Sequence, residues 1–138
     1  MADQALGTGW VPGAGATYQE YLTGAAIALN DALYLDQTVS PPVVKKGIAT
    51  SLAAAAFVGF ATHAAASGEY VRGATGGEWT VTGASLTAAV PLFVSGANAG
   101  KVAPLADLGS GKYPTKVCWC KSATLIKITP DPSGVAVP

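Results

Sequence analysis

Few side chains in this sequence are suited to chemistry, and their spacing limits what that chemistry would be. His63 is the single histidine, and Cys118 and Cys120 are the two cysteines. One histidine rules out a multi-histidine metal site and leaves one possible general base. In Cys118-Trp119-Cys120, residues two apart on an extended strand point the same way, so both thiols would share a face. With His63 they would supply three metal ligands, whereas a structural zinc site takes four, and no fourth donor stands at a telling spacing. The thiols are also too close for an easy disulfide on a strand, which favours a reducing compartment. The plainer expectation is two small apolar residues in a core. Asp31 and Asp36 bracket an apolar run instead of sharing a face, so they are expected as turn residues and not as a carboxylate dyad. Gly-Ala-Asn-Ala-Gly-Lys at 96–101 lacks the spacing of a phosphate-binding loop and the hydroxyl after its lysine. No catalytic, cofactor or metal site emerges, and no enzymatic activity is expected.

The elements that would hold these residues are short strands. Ala32–Leu35 is apolar and lies between turn formers, Asn30-Asp31 and Asp36. Pro41-Pro42 blocks a helix and starts an extended segment, Val43–Ile48. Phe57–Thr62 alternates large and small residues, with Gly59 allowing close backbone approach. Glu69–Arg72 alternates polar and apolar. Gly76-Gly77 then predicts a hairpin turn leading into Glu78–Thr82. Ala89–Ser95, Lys101–Ala103, Thr115–Cys120 and Thr124–Thr129 follow as strands, with Asp107–Pro114 a loop. Only Ser51–Ala56, SLAAAA, has helical propensity, and six residues are marginal for a helix, so its conformation stays open. Many short strands at regular spacing indicate an all-β barrel or sandwich.

A weak internal repeat organises these strands. Thr23–Thr38 and Thr82–Ala97 align at an offset of 59, with Thr23, Gly24, Ala25 and Leu33 on Thr82, Gly83, Ala84 and Leu92. Ile27, Tyr34 and Leu35 meet Leu86, Phe93 and Val94. Two copies are too few for a solenoid and predict one small barrel built from two related halves over residues 23–129.

Composition narrows the class of partner. The formal net charge is +0 with 12% charged residues, so nothing points to nucleic acid or an anionic membrane. Lys45-Lys46, the only adjacent basic pair, is expected on a solvated strand edge. Alanine supplies much of the hydrophobic content and buries little area, which predicts a thin core completed by association. The uncharged window Gly47–Gly68 is long enough to span a bilayer but poor in Leu, Ile and Val, and it contains His63. No secretory leader and no Asn-x-Ser/Thr acceptor is expected. Residues 1–22 are punctuated by glycines and Pro12 yet carry Trp10, Tyr18 and Tyr21, which makes them an extended N-terminal arm. Its aromatics would either dock on a partner or fold back on the barrel. Residues 130–138 form a Pro-rich tail not expected in a central strand.

Ala32–Leu35 after Asp31, then Val58-Gly59-Phe60-Ala61, Ala64-Ala65, Gly68-Glu69 and Val71, resemble the small decoration proteins of tailed-phage heads over about residues 23–128. Asn30 stands where glycine is commoner in that pattern. The resemblance implies a β-tulip-like barrel without cofactors, made in the host cytoplasm and placed on the outer surface of the virion. It also implies a homotrimer that clamps neighbouring major capsid subunits, with the arm adding to a capsid strand or loop. Two other classes stay in view. A carbohydrate- or receptor-binding module would use Trp10, Trp79 or Trp119 as stacking platforms, and an enzyme would pair His63 with Cys118 or Cys120.

Overall fold

The computed structural model of the chain describes residues 3–105 and 108–132, the side chain of Pro132 excepted. Ten strands run in the order β1 Gly9–Pro12, β2 Thr17–Leu22, β3 Ala32–Asp36, β4 Val43–Lys46, β5 Phe57–Ala61, β6 Tyr70–Thr82, β7 Pro91–Val94, β8 Val102–Ala103, β9 Thr115–Cys120 and β10 Leu125–Pro132. The molecule is all-β: no α-helix occurs among the described residues, and no helix is long and apolar enough to cross a membrane. The strands form one curled antiparallel sheet, a half-barrel, ordered β4-β3-β5-β6-β10-β9-β7-β8, with β1 and β2 on β6 alone.

Read from either end, that order is the same four-strand unit, β4-β3-β5-β6 and β8-β7-β9-β10. The offset of 59 holds at the level of single residues. In the first half Ala32, Leu33 and Tyr34 pair with Phe60, Gly59 and Phe57, with a register shift after Leu33. In the second, Pro91, Leu92 and Phe93 pair with Trp119, Cys118 and Lys116, with the shift after Leu92. The entry to each unit is also shared. Asn30 N donates to Ala61 O at 2.8 Å, and Ala89 N to Cys120 O at 2.7 Å. Among the described residues Asn30 and Ala89 are the two non-glycine residues with positive φ, 76° and 68°. Such a conformation is costly outside glycine, so its recurrence at matched positions marks a shared backbone path. Two related halves, expected from sequence, are thus present in register and backbone.

Two local expectations are corrected, and one alternative left open is decided. Gly76-Gly77 does not turn a hairpin; β6 continues through it for 13 residues. Gly77 has φ +77°, and a Cβ there would lie 2.1 Å from Gly15 O, so glycine here bends a continuous strand against its neighbour. Before the bend β6 pairs with β5, and from it with β10. Of residues 1–22, expected as an extended arm that either docks on a partner or folds back, residues 9–22 lie on the domain: β1 and then β2 run antiparallel along β6 on its remaining edge. The backbone pairing of that length outweighs the entropy of a glycine-rich segment. Pro130 and Pro132 belong to β10, beyond a register shift, where β9 is the only partner and no donor is needed on the free side. The tail beyond Pro132 lies outside the described residues. Ser51–Ala56, left open by sequence, is a series of turns, with Ala55 N donating to Ser51 O at 3.0 Å.

Two clusters fill the interior. The larger holds Phe57, Phe60, Trp79, Leu92, Val117, Cys118, Cys120, Ile126 and Ile128, with Trp10 packed against it. The smaller, inside the first half, holds Ile27, Leu33, Val44, Ala61, Ala65 and Val71, with Tyr21 against it. The two outer ends of the strand path are tied by backbone bonds, Ala32 N to Gly100 O at 2.8 Å and Gly100 N to Gly47 O at 2.7 Å. β5 lies between the clusters, with Phe57 and Phe60 in the larger and Ala61 in the smaller.

Candidate interaction surface

The three aromatic residues of the N-terminal segment occupy different environments. Trp10 is an anchor: its ring lies 5.1 Å from Phe60 and 6.0 Å from Trp79, and its Nε1 donates to Asn30 Oδ1 at 2.6 Å. Asn30 in turn donates to Gly7 O at 2.6 Å, which ties the start of the chain to the entry of β3. Tyr21 is half-buried against the smaller cluster, and burial pushes its phenol pKa up. Tyr18 alone is open, 55% exposed. Of the two alternatives for the aromatics, folding back holds for Trp10 and Tyr21, which leaves Tyr18 for a partner.

Tyr18 belongs to β2, which among the described residues forms a ladder only with β6; just past its end Thr23 bridges Val44 of β4, so the open outer edge is that of the strand before Thr23. On the face it shares with β6, Glu20 lies opposite Arg72 and Leu22 opposite Tyr70. The Arg72 guanidinium sits 4.6 Å from the Tyr18 ring centre and 3.6 Å from Glu20 Oε1, so one cation holds both side chains in place. Tyr70 is exposed nearby. His63 braces this surface: Arg72 N donates to His63 Nε2 at 3.1 Å, and its Nδ1–H faces Ala64 O at 2.9 Å. Both ring nitrogens are thus engaged by backbone groups, of the next residue and of the neighbouring strand β6.

The thiols are not brought to it. Cys118 and Cys120 are buried on β9, in the second half, whereas His63 is exposed after β5 in the first. Burial raises both thiol pKa values, that of Cys118 most, with the neighbouring Cys120 adding to it, so both stay protonated at neutral pH. At the repeat offset they occupy the positions of Gly59 and Ala61, small residues in a packed strand. Among the described residues no group of three His, Cys, Asp or Glu is placed to hold a metal ion.

Asp36 is the turn residue its type predicts: Thr38 N donates to its Oδ1 at 3.0 Å, and Lys45 Nζ lies 2.8 Å from Oδ2. The hydrogen bond from Lys45, then those from Thr38, hold this carboxyl far below the usual carboxylate range. Asp31 is more than a turn residue. It is fully buried, accepts from Ala28 N at 2.8 Å, and has Lys46 Nζ at 3.5 Å and Lys101 Nζ at 3.9 Å. Gly100 backs onto this carboxylate: a Cβ there would lie 2.7 Å from Oδ1. The 96–101 turn therefore presents its lysine to an internal acid, while its other side walls a cleft of about 560 Å³ with Asp3, Gln4 and Asn30.

Trp79 is buried and Trp10 half-buried, so of the three tryptophans only Trp119 offers an open ring, at 40% exposure. Sequence alone had ranked it with the other two, because an aromatic in a strand carries no local mark of which face it takes. Comparison with family models, with curated proteins and with solved structures finds no match to this chain. What the surface can do therefore follows from its own geometry.

Proposed function

We propose that this chain is a non-enzymatic decoration or cement protein of a tailed-phage head. In this role it sits on the outer surface of the shell, as a homotrimer, and bridges neighbouring major capsid subunits. One observation carries the proposal: Val58–Val71, which follows the decoration-protein pattern, builds the β5–β6 unit along which the open edge strand β2 is laid. The outer edge of β2 suits main-chain pairing with an extended shell segment, which leaves the side-chain face of Tyr18 and Glu20 unused by that contact. Near-zero net charge suits a partner met through apolar and main-chain contacts more than through long-range steering. Sugar stacking would fall to Trp119, with the other two tryptophans packed inside.

The test is co-expression with the major shell protein encoded in the same genome, followed by sedimentation of the assembled heads. The chain is expected to sediment with the heads and to raise the temperature at which they lose DNA. Heads that sediment free of the chain would refute the proposal.

A further inference from the structure

The two halves treat one matched position in opposite ways. Phe60 and Trp119 are equivalent at the offset of 59, each facing the first residue of its partner strand, Ala32 or Pro91. Phe60 is fully buried because Trp10 from β1 lies against it. Among the described residues Trp119 has no such cover. It is flanked by Pro91 on β7 and Lys127 on β10, and the Lys116 ammonium sits 4.9 Å from its ring centre. Among the described residues neither Lys116 nor Lys127 closes an ion pair, although Asp131 stands opposite Lys116 in register. The result is an open aromatic platform with a basic rim.

We infer that this Trp119 face receives the β2 strand of a second copy of the chain, head to tail. The occupant follows from two observations. In the first half the matched position is covered by an aromatic side chain from the N-terminal segment, and the remaining exposed aromatic of that segment is Tyr18, with Glu20 beside it and no basic residue in Thr17–Leu22. The charge distribution also fits: residues 1–99 carry six acidic and three basic side chains, whereas residues 100–138 carry two acidic and five basic. A two-fold contact through the Trp119 face would set lysines against lysines. A heterologous contact sets Lys127 and Lys116 against Glu20 and closes into a ring if the rotation permits. This contact rests on the self-association part of the function proposed above, and it can be measured without any shell.

The experiment is sedimentation velocity of the full chain over a concentration series, with two variants that each disable one end. The wild type is expected to associate reversibly, more weakly as salt rises. Trp119→Ala and Tyr18→Ala should each weaken that association about thirtyfold or more, as for an interface hot spot. Tyr18→Ala should melt with the parent, and Trp119→Ala, at a site 40% exposed, should stay folded well above the temperature of the experiment, so that lost association is not lost fold. Mixed together, the two variants should form a one-to-one dimer that grows no further, because one intact face meets one intact strand. Association unaffected by Trp119→Ala, a mixture that stays monomeric, or a wild type that remains monomeric throughout would each overturn the inference. If heads are still decorated in any of those cases, shell binding stands and only this contact fails.

Discussion

Replacing Trp10 by alanine separates a docked N-terminal segment from a free one. The indole packs on Phe60 and Trp79 and donates to Asn30 Oδ1. Truncating a fully buried Trp costs about 3–5 kcal/mol. Trp10 is half-buried, so the packing loss is nearer about 2–3 kcal/mol. The Asn30 amide oxygen, deprived of its donor, adds about 1 kcal/mol. For 138 residues the unfolding entropy is roughly 0.3 kcal/mol/K, so each kcal/mol moves Tm by about 3–4 °C. Trp10→Ala should therefore lower Tm by roughly 10–15 °C in thermal unfolding followed by circular dichroism. Trp10→Phe, which keeps the stacking and loses the N–H, should lower it by about 3–5 °C. Tyr18→Ala, at an exposed site, should stay within about 2 °C of the parent. A Trp10→Ala variant that melts with the parent would mean that residues 1–22 are not held on β6 in solution.

Three further outcomes are expected. Gly77→Ala forces a side chain into positive φ and against Gly15 O, so urea unfolding should show a loss of at least about 2 kcal/mol; an unchanged midpoint would refute the bend in β6. Native protein should leave both thiols unreactive toward a disulfide reagent at pH 8, and unfolding in guanidinium should release two reactive thiols; rapid native labelling would show that β9 is not packed as described. The depressed carboxyl of Asp36 contributes stability that is present above its unfolded pKa, about 3.9, and is lost as pH falls through the folded value. Asp36→Asn should therefore flatten the acid limb of the stability curve below about pH 4. Lys45 is partly open to solvent while Asp36 is largely covered, so salt should screen the pair in part and shrink the difference, and a difference insensitive to salt would count against the Lys45 contact.

The sequence by itself determined the class of fold, the positions of β3, β4, β5 and β9, and the pairing of the two halves. These depend on short-range rules: alternation along a strand, turn formers at its ends, and small residues recurring at a fixed offset. It also placed the cysteines among core residues, because a free cysteine behaves as a small apolar side chain.

Only the tertiary structure decided what depends on distant chain. A Gly-Gly pair serves a hairpin and a bent strand equally well, and β1 and β2, more than fifty residues earlier, make it a bend by pairing along both sides of it. The same pairing turned a glycine-rich arm into two strands and separated Trp10 from Tyr18. Asp31 reads as a turn residue until folding brings Lys101 from seventy residues away and closes Gly100 over its carboxylate. Phe60 and Trp119 are interchangeable by position, and what distinguishes a core residue from an open platform is whether another strand arrives to cover it. Burial is set by the sum of long-range contacts, and no local pattern carries that sum.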